Sequence, residues 1–454
     1  YVLEAVLEAG LEYKVEELEA PKGYCLHGTF SFTVSTKNGE TDKVTIEDKP
    51  TIVEVSKVSL TGKKEISGAK MQILDGEGNI IDEWISTTVP HVLKAQLEAN
   101  KTYYVHEVTP PKFYVLSGDV EFTVSGDGSV DKVVMRDDVT RGNIEVHKRT
   151  EGDMNVEGIE FILSGISDTG LEVNETAKTD ADGVAVFELI PTGTYTITEN
   201  GETVPYAYLV ADEQEVTVNY AETSIKEFFN DEKTGTLEIH KRTEGDLNLE
   251  GIEFTLSGVS DSGREISITA KTDENGVAVF ENVPIGTYTI TENDETTPTA
   301  YLTAEEQEVT VTYAETTTKE IFNDEKTGTI EVNKSTEGNE NIEGIEFILS
   351  GISDSGREIS MTAKTDENGK AVFENVPIGT YTITENGETV PTAYLTADEQ
   401  EVTVTYAETT TINVFNDEKT GSIKVQKRTE GMTDISGIEF ILEGTSDSGS
   451  TPIK

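Results

Sequence analysis

At 454 residues, with 87 acidic against 35 basic side chains and a formal charge of -52, the chain has room for several domains and is too acidic to bind phosphate backbones or anionic headgroups. Hydrophobic residues make up 35% and fall in regular alternating runs, which acidic disordered tracts lack. The lone cysteine, Cys25, excludes an intrachain disulfide.

In chain order, residues 1–49 read as the C-terminal portion of a unit, with Glu17 in "YKVEELEAPKGY" and Asp48 near its end. A divergent unit at 50–140 carries Lys57 in "VEVSKVS", Glu107 in "YYVHEVTPP" and Asp137. Three close repeats occupy 141–233, 234–326 and 327–419, and 420–454 repeats only the front of the pattern. The openings "IEVHKRTEG", "LEIHKRTEG", "IEVNKSTEG" and "IKVQKRTEG" set Lys148, Lys241, Lys334 and Lys427 93 residues apart. A period of that length fits independent domains in tandem rather than the turns of a solenoid.

Within each repeat, runs such as "GIEFILSG", "GTYTITEN" and "EQEVTVTYAE" are short and β-rich, separated by turn signals such as "DADG" and "DENG", and helical periodicity is nearly absent. The expected fold is all-β: tandem immunoglobulin-like antiparallel β-sandwiches, strung as beads on short "NDEKTG" junctions. Domains of compact size would make a rod on the order of 150 to 200 Å.

A two-residue period puts Tyr195, Ile197 and Glu199 on one strand face, so a carboxylate lands on an apolar face, as it does again at Glu292 and Glu385. The same parity turns Lys148 inward behind Ile144 and Val146, and likewise Lys241, Lys334 and, in the divergent unit, Lys57. At the far end of each unit Asn230, Asn323, Asn416 and Asp137 share the inward parity. First and last strands of a sandwich can lie side by side, so the three side chains are expected to meet. Burial disfavours charge on both an amine and a carboxylate. A neutral lysine could then attack the Asn carbonyl while the glutamate shuttles protons, forming a Lys–Asn amide and ammonia, or water where Asp replaces Asn. Enforced proximity can supply roughly 7 to 11 kcal/mol of such a barrier.

The order Lys, Glu, Asn, together with "GIEF", "TDENG", "GTYTITE" and a terminal "FNDEK", resembles the Cna-B/SpaA-type isopeptide domains of Gram-positive surface proteins and pilins. "YKVEELEAPKGY" is similar to the E-box of pilin subunits. The resemblance implies intramolecular bonds Lys148–Asn230, Lys241–Asn323, Lys334–Asn416 and Lys57–Asp137, promoted by Glu199, Glu292, Glu385 and Glu107. Glu17 would be the promoter of the first partial unit, whose Asp48 lacks a lysine, while Lys427 lacks an acceptor. The loops "ENGETVPYAY" and "ENDETTPTAY" depart from the family's shorter "APxGY" form.

The implied function is a structural stalk or spacer of a Gram-positive adhesin or pilus-like protein, extracellular at the cell wall, self-crosslinked and without turnover. The rival readings are a module gripping a host matrix protein such as collagen or fibrinogen, and a sortase-polymerised pilin subunit. Matrix contacts and sortase anchoring are expected through regions outside this stretch, since no signal peptide or wall-sorting tail is visible in it. Neither nucleic acid nor membrane is an expected partner, and no cofactor is expected. The "DADG" and "DENG" segments read as turns rather than calcium loops, and His147 and His240 keep no metal-ligand spacing with another His or Cys. No nucleophile motif for outside substrates appears. Asn174 opens a glycosylation sequon.

Overall fold

A computed structural model describes residues 7–449 apart from 38, 153–155, 246, 248, 339–341, 432 and 433. The extreme ends of the two partial units expected at 1–49 and 420–454 lie outside the described residues. Every helix or strand among the described residues is a strand. The chain divides into two compact units. The first carries the hairpin Glu12–Glu16/Thr29–Thr33 and two sandwiches spanning 52–137 and 141–230; the second carries sandwiches spanning 234–323 and 327–416.

The sandwich at 141–230 stands for all four. Its three-stranded sheet has Arg141–Thr150 at the centre, flanked by Val184–Pro191 and Thr223–Asn230. Its four-stranded sheet runs Glu172–Lys178, Glu160–Ser167, Gly193–Glu199, Gln214–Val218. Alternation drives both sheets: along Arg141–Thr150, Gly142, Ile144, Val146 and Lys148 are buried while their neighbours are not. Ile144 and Val146 from one sheet meet Phe161, Leu163, Tyr195, Ile197 and Val216 from the other, and the Phe161 and Phe228 rings lie 4.9 Å apart. Each such side chain contributes about 1.5–3 kcal/mol on burial.

The sheets are antiparallel apart from one pairing, which is the one that matters. The first strand pairs with the last in parallel, from Asn143↔Thr223 to Thr150↔Asn230, because both enter the sandwich from the same end. The pairing recurs between Thr327–Thr336 and Thr409–Asn416, and in the divergent sandwich between Ile52–Ser59 and Val130–Asp137. Close backbone approach at the strand entry requires a glycine: a Cβ on Gly142 would stand 2.3 Å from the Asn219 carbonyl oxygen. A bulge at Gly142/Ile144 follows directly.

Candidate functional site

Lys148, Glu199 and Asn230 stand on the first strand of one sheet, the middle of the other, and the last strand beside the first. All three are buried, at 3%, 2% and 1% exposure. The parallel register sets Lys148 opposite Phe228 and Thr150 opposite Asn230, so the amine and the amide lie at the same end of the paired strands. Phe161↔Glu199 pairing brings the carboxylate to that end from the facing sheet.

The structure brings the predicted residues together. Lys148 Nζ lies 3.5 Å from Glu199 Oε1 and donates to the carbonyls of Arg149 (2.9 Å) and Phe228 (3.4 Å). Asn230 Nδ2 donates to the same Glu199 Oε1 at 3.2 Å. In the next repeats Lys241 Nζ–Glu292 Oε1 is 3.8 Å with Asn323 Nδ2–Glu292 Oε1 at 2.9 Å, and Lys334 Nζ–Glu385 Oε1 is 3.7 Å with Asn416 Nδ2–Glu385 Oε1 at 3.3 Å. The amide oxygens of Asn230, Asn323 and Asn416 are buried without a hydrogen-bond partner. Each such orphan costs about 1–3 kcal/mol.

Burial is the main cause that pushes the amine pKa of Lys148 and Lys334 below the ordinary lysine value, the glutamate opposing it in each case. For Lys241 the same desolvation brings the value down to about 8. A substantial neutral fraction follows at mildly alkaline pH.

The other glutamate oxygen is held by the loop whose departure from the family pattern the sequence displays. Glu199 Oε2 accepts the backbone N–H of Ala211, Glu292 Oε2 that of Ala304 and Glu385 Oε2 that of Ala397, each at 2.8 Å. In the divergent sandwich the Ser117 N–H serves Glu107 Oε2 at 2.9 Å. The longer loop thus supplies the same donor as the shorter one. Sequence reasoning missed these donors, and the signal available was a constant separation of 12 residues from glutamate to donor.

In the divergent sandwich Lys57 Nζ contacts Glu107 Oε1 at 2.8 Å, Ser117 Oγ at 3.3 Å and, most closely, Asp137 Oδ1. Desolvation raises the Asp137 pKa, partly opposed by Lys57. In the N-terminal hairpin region Glu17 Oε2 accepts the His27 N–H at 2.8 Å, and desolvation, then the neighbouring Glu17, raises the Asp48 pKa. Lys427 is exposed and stands outside any strand. Among the described residues no three His, Cys, Asp or Glu side chains are grouped as metal ligands would be.

With this geometry in view, comparison with known proteins gives one answer at several points along the chain. The profile of the SpaA prealbumin-like fold domain matches residues 3–50, 51–139, 142–233, 235–326 and 328–419. In an alignment 386 positions long, which covers 71% of this chain and 28% of the relative, the chain is 24% identical to serine-aspartate repeat-containing protein D of Staphylococcus aureus. Among solved structures it is similar to the Bacillus anthracis TIE protein (21% identity, TM-score 0.49, covering 84% of this chain and 76% of that one). It is also similar to BcpA, the major pilin subunit of Bacillus cereus (18% identity, TM-score 0.31, covering 62% and 100%).

Proposed function

The chain belongs to the SpaA family of prealbumin-like fold domains, and from that premise we propose that it is a stalk or spacer segment of a Gram-positive cell-surface protein, each complete sandwich closed by a self-formed Lys–Asn or Lys–Asp amide. The observation that carries this reading is the buried grouping of Lys148, Glu199 and Asn230, repeated at Lys241, Glu292, Asn323 and at Lys334, Glu385, Asn416. An extracellular, wall-associated location is part of the same proposal, and BcpA, one of the structures the chain is similar to, is a major pilin subunit.

The reaction balances without a cofactor. A lysine ammonium proton passes to the Glu199 carboxylate, leaving a neutral amine. With the Asn230 amide turned by half a turn, its orphaned oxygen accepts a hydrogen bond from the protonated Glu199, which polarises the carbonyl. Nζ attacks the amide carbon, the tetrahedral intermediate returns the second amine proton through Glu199 to the amide nitrogen, and ammonia leaves. At Asp137 water leaves instead. Each site acts once, so the protein is not an enzyme in the sense of turnover.

The parallel pairing gives the bond a mechanical meaning. Tension entering at Arg141 runs along the first strand to Lys148, crosses to Asn230 and leaves, so the intervening residues carry none of it. A spacer under load is the use this geometry fits. Intact mass tests it: the purified chain is expected to lack three ammonias and one water relative to its sequence, and a chain at full sequence mass overturns the reading.

A further inference from the structure

Three short motifs of the repeats play no part in the amide grouping: the "TEG" after the lysine strand, the glutamate of "NDEK", and the "SDSGR" turn. Within the second unit they converge. Glu325, in the "NDEK" that joins the sandwich at 234–323 to that at 327–416, is 5% exposed. Its Oε2 lies 2.6 Å from Arg357 Nη2, and its Oε1 accepts a close hydrogen bond from Ser355 Oγ, both residues belonging to the turn of the following sandwich. Ser355 Oγ is itself 2.7 Å from Ser353 Oγ, which also accepts the Arg357 N–H at 3.1 Å. The same trio recurs in that unit at Glu232, Ser262 and Arg264, with Glu232 Oε2–Arg264 Nη2 at 2.7 Å and a close Ser262 Oγ–Glu232 Oε1 bond.

The junction backbone is tied on both sides. Lys326 N–H donates to the Ala300 carbonyl of the preceding sandwich, and the Lys326 carbonyl accepts from Ile378 N–H of the following one, each at 2.9 Å. The "TEG" glycine makes room for the approach: a Cβ on Gly245 would stand 2.5 Å from the Ser355 carbonyl oxygen and 2.4 Å from Tyr301 Oη. The sequence supplies an independent sign. Where the junction glutamate is replaced by Val139, the next repeat has Thr169 and Leu171 at the positions of Ser262 and Arg264. Acid and base change together across the junction.

We propose that Glu325, Ser355 and Arg357 form a docking latch that fixes the following repeat against the preceding one, and that the Ser/Arg turn selects a predecessor ending in glutamate. The partner of this surface is the neighbouring repeat of the same chain. The latch works by asymmetry. Arg357 is 41% exposed at its side chain and Glu325 only 2%, so the arginine can return to water while the carboxylate cannot. Removing the arginine strands a buried charge, and removing the acid leaves a solvated one.

Amide hydrogen exchange of the full-length chain tests this at Lys326 and Ile378, a readout that does not depend on whether the Lys–Asn amides have formed. Arg357→Ala is expected to speed exchange of both amides about 5- to 30-fold, and Glu325→Gln less. Gly245→Ala should speed it by wedging the same contact from the other side. The exchanged pair, Glu325→Arg with Arg357→Glu, should recover protection relative to Arg357→Glu alone. Amides of Phe347, Ile348 and Leu349 in the core strand Glu346–Ser353 serve as the internal control and should stay protected. Unchanged exchange at Lys326 and Ile378 in both Arg357→Ala and Gly245→Ala overturns the latch, and so does an exchanged pair no better protected than the single reversal.

Discussion

Lys334 and Glu385 come from opposite sheets of one sandwich, yet they bring Nζ and Oε1 to 3.7 Å with side chains 0% and 1% exposed. A buried ion pair rarely repays its own desolvation, and hydrophobic residues of like volume often do as well or better. Its repetition in register is what the proposed amide formation would account for. Glu385→Ala should leave the chain one ammonia heavier than its sequence-corrected wild type while the other repeats keep their losses. Without the crosslink, that repeat should also lose about 4–5 kcal/mol of stability, the value for closing a loop of roughly 80 residues in the unfolded chain. A variant heavier than that by a second ammonia would show that the sites are not independent.

Lys241 supplies a pH dependence with a definite sign. Its value in the fold is about 8, against 10.5 for an ordinary lysine. Between those limits the unfolded chain holds a proton that the folded chain does not, so stability rises with pH across that window and is level on either side. In Asn323→Ala, which keeps the amine free, the repeat should gain about 3 kcal/mol between pH 8 and 10.5. Exchange of the amides in Glu253–Ser260 under mild denaturant reads this repeat alone. In the wild type the proposed amide would acylate Nζ, and the rise should vanish.

Asp137 provides a mass identity. An amide from Lys57 to Asp137 and one from Lys57 to an asparagine at that position are the same group, reached by losing water or ammonia. Crosslinked Asp137→Asn should therefore weigh the same as crosslinked wild type, although the unreacted chains differ. Asp137→Ala should retain its full mass in this sandwich. It should also be destabilised by about 4–5 kcal/mol, because the loop of roughly 80 residues between Lys57 and Asp137 is no longer closed.

Leu189 sits at φ +55°, exposed, where the following repeats carry Asn282 and Asn375 at φ +54° and +55°. Asparagine tolerates the left-handed region and a leucine does not. Leu189→Asn is expected to stabilise its repeat by about 0.5–1 kcal/mol, read as a higher denaturation midpoint with unchanged mass loss. A neutral or lower midpoint would mean that the leucine makes a compensating contact.

Much of this was legible in the residues. The alternation of Ile144, Val146 and Lys148, and of Tyr195, Ile197 and Glu199, has a period of two, and parity alone assigns all six to one interior. The direction of the first-to-last pairing was not legible, because it depends on how many times the chain crosses the sandwich rather than on any local pattern. The Ala211, Ala304 and Ala397 donors escaped for another reason: a backbone N–H carries no side-chain signature. The partnership of Glu325 with Arg357 was not legible either, since it crosses from one repeat to the next and no periodicity within a repeat can announce it.

The parallel pairing of Thr327–Thr336 with Thr409–Asn416 leads to the most direct test under force. Pulled from its ends, the sandwich is loaded in shear along two strands whose amine and amide lie at the same end. With Lys334 joined to Asn416, the residues between them cannot extend, and the repeat should lengthen only by the slack of its first strand. With Glu385→Ala the same repeat should release roughly 80 further residues, an added step of about 270–290 Å at full extension. Single-molecule stretching of the full chain should therefore show no such step in the wild type and one in the variant. A wild-type trace with steps of that length would mean the strands are held by hydrogen bonds alone.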